Sequence, residues 1–215
     1  IVAPSIGMAL TGREKGMKKA LLAAYGGTAL TEEAVVRGLE WLKRNQLKDG
    51  SWSLKGPYKG SGAQENVVAA TAMALLAFQG HGSTNKNGPY VQQVARGWNF
   101  LLKLQDDSGG FTRQNVPLHH TLYCQAQATI ALCELYGMTK DSRFRAPAQK
   151  AIDYAVKYQD AEGGWRYTPG SDSDLSVTGW FVMGLQAGRI AGLEVPPKTL
   201  DRINDYLDRC TTNGP

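Results

Sequence analysis

Apolar runs long enough to cross a membrane are missing from this 215-residue chain. No run approaches the ~20 apolar residues that a transmembrane helix needs. With 42% hydrophobic and 20% charged residues, the composition is that of an ordinary globular domain with a real core. Cysteine is scarce, and Cys124 and Cys133 are predicted to lie too far apart on one helix to pair. A disulfide framework is therefore excluded, and we predict that no segment crosses a membrane.

Clusters of metal ligands are also missing from the sequence. The chain has three histidines, and none follows His120, so no later imidazole can complete a zinc site. His119 and His120 are adjacent and on a helix would point about 100° apart, which disfavours chelation of one ion. We predict no metal and no cofactor, and we interpret this pair as the polar start of a helix.

The net charge of +5 is concentrated in the first 60 residues. Lys15, Lys18 and Lys19 are best interpreted as the solvated side of a helix, and no nucleic-acid motif accompanies them. We therefore predict no nucleic-acid partner. The first residue is Ile, so we expect a processed product or an excised fragment.

Three stretches of the chain share one pattern. In order, each has a basic residue, an aromatic residue, a Gln, a Gly and a final aromatic residue. The stretches are Arg37–Trp52, Arg96–Phe111 and Lys150–Trp165. Their glutamines are Gln46, Gln105 and Gln159, and their final aromatic residues are Trp52, Phe111 and Trp165. So many shared positions indicate an internal repeat.

Each stretch is predicted to be a helix that runs into a sharp turn. Thr31, with Glu33 nearby, is the predicted start of the first helix, and Gly50, Gly109 and Gly163 allow the turns. The Gln has donors and an acceptor, so we expect it to tie its helix end to the first turn of the next unit while the aromatic residue packs over it. This role stabilises the fold and carries no chemistry.

A second set of predicted helices follows the turns; the first of them is apolar nearly all round, and the second is more polar towards its start. They are Asn66–Phe78, Thr121–Tyr136 and Leu175–Arg189. The later helices of the first set are predicted at Val91–Gln105 and Ala148–Tyr158, with another after Pro196. Before them, Arg13–Tyr25 is predicted to be helical and to end at Gly26, either as the end of an earlier unit or as a cap. In the last unit, Thr211 stands where the Gln would be.

These motifs resemble the QW motifs of the terpenoid cyclase and protein prenyltransferase superfamily, and the repeats are similar to the prenyltransferase and squalene oxidase repeat. The resemblance implies an all-α fold, the α/α toroid, with outer helices that carry the QW motif and inner helices that line a cavity. We expect about three and a half helix-hairpin repeats in a partial barrel. The predicted parts are a cap or preceding repeat end at 1–30 and a repeat domain at 31–215, with units 31–80, 90–137, 146–190 and 196–215.

A catalytic candidate is suggested by the same resemblance. In class II terpene cyclases the corresponding inner helix opens with D-x-D-D, whose middle Asp protonates the substrate, and here Asp172 and Asp174 match the first and middle positions. Leu175 replaces the last Asp. Protonation of carbon needs a carboxyl that is buried and protonated beside another carboxylate. The alternative is that Asp174 simply caps the helix.

Zinc chemistry of the prenyltransferase kind has weaker support. That family places an Asp and a Cys two residues apart, but here Ser176 follows Asp174, and serine is a poor zinc ligand. The thioester motif G-C-G-E-Q of complement-type toroids is also absent around Cys124, Cys133 and Cys210.

The first functional hypothesis is a squalene cyclase-like toroid module that lacks a complete catalytic motif and binds an isoprenoid-like or peptide ligand on its inner helices. The candidate ligand-binding residues are His119, His120, Tyr123, Gln125 and Trp180. The second is a class II terpene cyclase of the squalene-hopene type, or a domain of one, with Asp174 as general acid. The third is an interaction scaffold, completed by a partner chain or missing repeats at an open end that shows an apolar patch. The resemblance favours a bacterial cytoplasmic or membrane-associated protein.

Overall fold

The computed structural model describes residues 12–13, 15–111 and 116–212, and this part of the chain is helical without a β-strand. An isolated bridge pairs Gln105 with Phe111, and a 3₁₀ turn covers Leu118–His120. In chain order the helices are α1 (Lys15–Ala24), α2 (Ala29–Arg44), α3 (Val67–Gly80), α4 (Val91–Leu102), α5 (Thr121–Thr139), α6 (Ser142–Lys157), α7 (Leu175–Ala191) and α8 (Pro197–Thr212). The all-α prediction is confirmed.

The helices α3, α5 and α7 form an inner row, in which α5 packs between the other two. The helices α2, α4, α6 and α8 lie along this row, and α6 contacts both α5 and α7. The chain therefore alternates between an outer and an inner helix, as a repeat protein does. Helices α3 and α5 bury residues on most sides, which explains why the sequence of α3 is apolar nearly all round.

The turns at 46–52, 105–111 and 159–165, which we call the QW turns, make the same contacts. Each Gln donates its side-chain Nε2 to the carbonyl of its own turn glycine and to a carbonyl in the first part of the next outer helix. The acceptor pairs are Gly50 and Gln93 for Gln46, Gly109 and Pro147 for Gln105, and Gly163 and Thr199 for Gln159, at distances of 2.8–3.4 Å. The predicted tie between successive units is confirmed.

The turn glycines are required for two reasons. Gly50, Gly109 and Gly163 have φ of +95°, +90° and +103°, a backbone conformation that side chains disfavour. In addition, a Cβ at any of them would collide with the backbone carbonyl of the basic residue in the next outer helix. The units are therefore joined by direct backbone contact.

Several predicted helix boundaries were displaced. The side chain of Thr28, and not that of Thr31, caps α2, and Thr31 completes a reciprocal capping box. Helix α6 begins at Ser142, before the predicted Ala148, because Asp141 caps it and Pro147 is accommodated inside the helix. Helix α5 continues through Gly137 to Thr139, and Lys140 then turns the chain with a φ of 47°.

The N-terminal helix was predicted at Arg13–Tyr25 and lies at Lys15–Ala24, so its existence is confirmed. Lys18 and Glu32 form an ion pair of 2.7 Å between α1 and α2. The rest of the predicted 1–30 segment before residue 12, and residue 14, lie outside the described residues, as do residues 112–115 of the connection to α5 and the last three residues of the predicted final unit.

Candidate functional site

One repeated hydrogen bond sets the three inner helices in register. The backbone N–H of each QW aromatic residue donates to a buried side chain on the inner helix that follows. The pairs are Trp52 with Thr71, Phe111 with Gln125 and Trp165 with Thr178, at 3.0, 2.7 and 3.0 Å. Thr71, Gln125 and Thr178 therefore occupy equivalent positions.

Counting from these positions gives the residues on the opposite side of the inner helices, which we call the inner face. Its four rows are Ala69, Tyr123 and Ser176; Met73, Gln127 and Trp180; Leu76, Ile130 and Met183; and Gly80, Glu134 and Ala187. The first row is joined by a 2.9 Å hydrogen bond between the hydroxyls of Tyr123 and Ser176. Further along, a Cβ at Gly184 would touch Ile130, so α5 and α7 run in the same direction.

The middle of the inner face is apolar and partly open. Met73 and Met183 are 43% and 48% exposed although their helices are largely buried, and Trp180 is partly buried. Thioether side chains adapt to irregular apolar partners. This region is therefore suited to contact with an apolar molecule.

Gln127 is the exception in this apolar region. Its Oε1 is buried and has no hydrogen-bond partner in the described part of the chain. Leaving a buried acceptor unpaired costs ~1–3 kcal/mol, so rotation of the half-buried Gln127 amide towards a ligand donor would be favoured. Gln125, and not Gln127, was the predicted ligand-binding residue, but Gln127 is the one that lies on the inner face.

The first row continues into a polar rim. The ring of Tyr167 stacks on that of Tyr123 with centroids 6.2 Å apart, and the guanidinium of Arg166 lies 5.1 Å above the Tyr167 ring. Arg166 also pairs with Asp172 at 2.6 Å, and this hydrogen bond raises the pKa of Arg166. Tyr167 and Arg166 were not among the predicted site residues, since they lie in the loop before α7.

An ion pair marks the other end of the inner face. Arg13 donates to both carboxylate oxygens of Glu134, at 2.8 and 2.9 Å, and also contacts the sulfur of Met138 at 3.6 Å. Both partners are largely shielded from solvent, with side-chain exposures of 22% and 16%. A bidentate pair of this kind fixes its geometry well. The inner face thus has polar groups at both ends and apolar groups between them.

The two candidate catalytic carboxylates, of Asp172 and Asp174, bind different partners. Asp174 is the N-cap of α7, and its Oδ1 accepts from the backbone N–H of Val177 at 2.9 Å. Asp172 is paired with Arg166 and its side chain is 45% exposed. Each carboxylate thus has its own partner, and they do not form the buried pair that carbon protonation needs.

The remaining predicted ligand-binding residues are distributed unevenly. Gln125 is buried, and its amide is used by Phe111 and by the carbonyl of Gly109, so it belongs to the QW turn. Tyr123 and Trp180 lie on the inner face. His119 and His120 lie in the 3₁₀ turn before α5, where their rings touch with centroids 4.2 Å apart. Burial lowers the pKa of His120, and the neighbouring His119 lowers it further.

Within residues 12–13, 15–111 and 116–212, no three His, Cys, Asp or Glu side chains are grouped closely enough to hold a metal ion. In the same ranges no helix combines the length and apolar character that spanning a membrane requires.

A scan against protein-family models gave no match, and a search of curated proteins found no significant similarity.

Proposed function

We propose that this protein is a repeat module of the squalene cyclase and prenyltransferase type, arranged as part of an α/α toroid, and that it binds a mainly apolar ligand along its inner face. The observation that supports this most is the second row of the inner face. In that row Gln127, with its unpaired Oε1, stands on α5, the helix between those that carry the exposed Met73 and the partly buried Trp180.

The ligand class follows from the distribution of polar groups. The middle rows offer methionine, leucine, isoleucine and tryptophan side chains around a single buried unpaired acceptor. An isoprenoid-like alcohol matches this surface, because it carries one hydroxyl donor on a long apolar chain. A peptide would bring one donor and one acceptor for each residue and would leave most of them unpaired here.

Binding can be tested with geranylgeraniol as the probe, by titration calorimetry with the full chain. We expect saturable binding and an affinity at least tenfold lower for Gln127→Leu, because leucine removes the acceptor and keeps a similar volume. Gln92→Leu is the matched control, since Gln92 is exposed on the outer helix α4. Equal affinities for both variants, or no saturable binding, would contradict the proposal. Tight binding of apolar peptides instead would reassign the ligand class.

The cyclase alternative has less support from the geometry, since Asp174 caps α7 in a polar loop. Asp174→Asn separates the two functions, because asparagine is as good an N-cap as aspartate and retains the fold. A class II cyclase would lose turnover of squalene or geranylgeranyl diphosphate in this variant. A binding module would show no turnover in either form and the same affinity for geranylgeraniol.

A further inference from the structure

Each QW turn docks on a defined surface of the next outer helix. Besides the Gln contact, the basic residue of that helix reaches back to the turn. Arg96 donates to the carbonyls of Leu47 and Lys48 at 2.8 and 3.1 Å, Lys150 pairs with Asp107 at 3.7 Å, and Arg202 donates to the carbonyl of Asp160. The same three elements therefore recur at all three junctions: a backbone acceptor, a basic residue and an aromatic residue.

The aromatic residue of this surface is buried wherever a turn is docked on it. Phe100, Tyr154 and Tyr206 are 8%, 5% and 7% exposed. At the second junction, a Cβ on Gly110 of the turn would meet the ring of Tyr154. The turn of the preceding unit thus covers this ring.

Helix α2 carries the same surface, and among the described residues no QW turn is docked on it. Its aromatic residue Trp41 is 40% exposed, and Ala34, which corresponds to the acceptor residues Gln93, Pro147 and Thr199, is also exposed. Its basic residue Arg37 is 67% exposed and pairs with Glu33 on its own helix. Val35, Val36 and Leu30 add exposed apolar area beside it.

A groove of about 580 Å³ adjoins this surface at Gly38 and Leu42. At the first junction the equivalent glycine, Gly97, packs against Leu75 and the QW residue Trp52. The groove is therefore where a QW aromatic residue and an inner-helix leucine would lie. Its size is within the range of ~300–1,000 Å³ that pockets for small organic groups occupy.

We propose that the exposed side of α2, comprising Ala34, Arg37, Trp41 and the groove at Gly38, is a docking surface for the QW turn of a further repeat unit. The three junctions inside the chain show the chemistry of this partner: Gln, three residues, Gly, one residue and an aromatic. A second folded copy of this chain is a poor donor, because Gln46, Gln105 and Gln159 are each engaged in their own junctions.

The test adds such a unit to the full chain by inserting a second copy of residues 142–181 between residues 14 and 15. The inserted outer helix and turn then lead into a hybrid inner helix, which has the 17-residue length of α7 once α1 completes it. We expect the amides of α2 to exchange with deuterium at least tenfold more slowly than in the natural chain. Gln159→Ala in the inserted copy should remove most of this protection.

Variants of the natural surface provide the second readout. Arg37→Glu should weaken the protection of α2 in the extended chain, whereas Arg44→Glu, a matched change at the end of the same helix, should not. The insertion separates Arg13 from α1 and can break its ion pair with Glu134, so Arg13→Ala in the natural chain is the control for loss of that pair. If the amides of α2 exchange as fast in the extended chain as in the natural chain, the proposal is overturned. This holds whether or not the inserted helices are themselves protected, since a repeat unit folds on its neighbour. Dimerisation of the natural chain that Arg37→Glu abolishes would assign the surface to a second copy.

Discussion

Helices α2 and α4 have the same motif and opposite surroundings. Of the 16 residues of α2, only Leu39 is buried, whereas the 12 residues of α4 include five buried ones. The difference is not in their sequences, since both place a basic residue, a small residue and an aromatic residue at the same spacing. A motif position is therefore buried by the unit that docks on it, and the energetic value of one residue type changes along the repeat.

The largest contrast is expected at the motif's aromatic position. Phe100→Ala should destabilise the protein by about 3–5 kcal/mol, because it opens a cavity in a closed junction. Trp41→Ala should cost only about 1 kcal/mol, since Trp41 is 40% exposed and packs against the ring of Tyr58 with centroids 4.8 Å apart. Urea unfolding followed by circular dichroism measures both. Equal losses would mean that α2 is covered in solution.

A smaller contrast is expected between the QW glutamines. Gln159→Ala removes two buried hydrogen bonds and should cost about 2 kcal/mol. Gln46→Ala removes the same pair of bonds at a half-buried site, and it also removes an Oε1 that has no partner, so about 1 kcal/mol is expected. Urea unfolding measures the stability of both variants. A larger loss of stability for Gln46→Ala than for Gln159→Ala would contradict this expectation.

The repeat and its helices could be predicted from the sequence because Gln, Gly and aromatic residues recur at fixed spacing. The role of Gln125 in the QW turn could not be predicted in this way. Its place in the QW turn depends on a hydrogen bond to Phe111, 14 residues away, and helical periodicity does not reveal such contacts. Asp174 shows the converse, because its capping role is local and was among the readings that the sequence allowed. The sequence allowed an apolar patch at an open end, but it did not place that patch on α2, because exposure depends on which neighbour is present.

The motif's small residue should give effects of opposite sign in the two helices. Gly97→Ala places a Cβ about 3.0 Å from Leu75 and 3.1 Å from the ring of Trp52, so we expect a loss of about 1–2 kcal/mol. Gly38→Ala meets no atom within 4 Å and should stabilise α2 by about 0.5–1 kcal/mol, because alanine favours the helix. Thermal unfolding of both variants suffices. A loss of stability for Gly38→Ala would show that the groove is filled in the protein in solution.

The smallest effect at neutral pH is expected for Tyr154→Phe, which changes the covered aromatic position only by a hydroxyl. Burial raises the pKa of Tyr154 to about 12, above its ordinary value of 10.0. A group whose pKa is raised by folding stabilises the fold fully below pH 10, and this contribution is lost as the pH rises towards 12. The natural chain should therefore lose stability over this window, and Tyr154→Phe should lose less. Tyr25→Phe, at a side chain that is 84% exposed, is the control and should leave the alkaline unfolding curve unchanged. Identical curves for Tyr154→Phe and the natural chain would show that the junction between α6 and the turn before it opens to water, as the surface of α2 does.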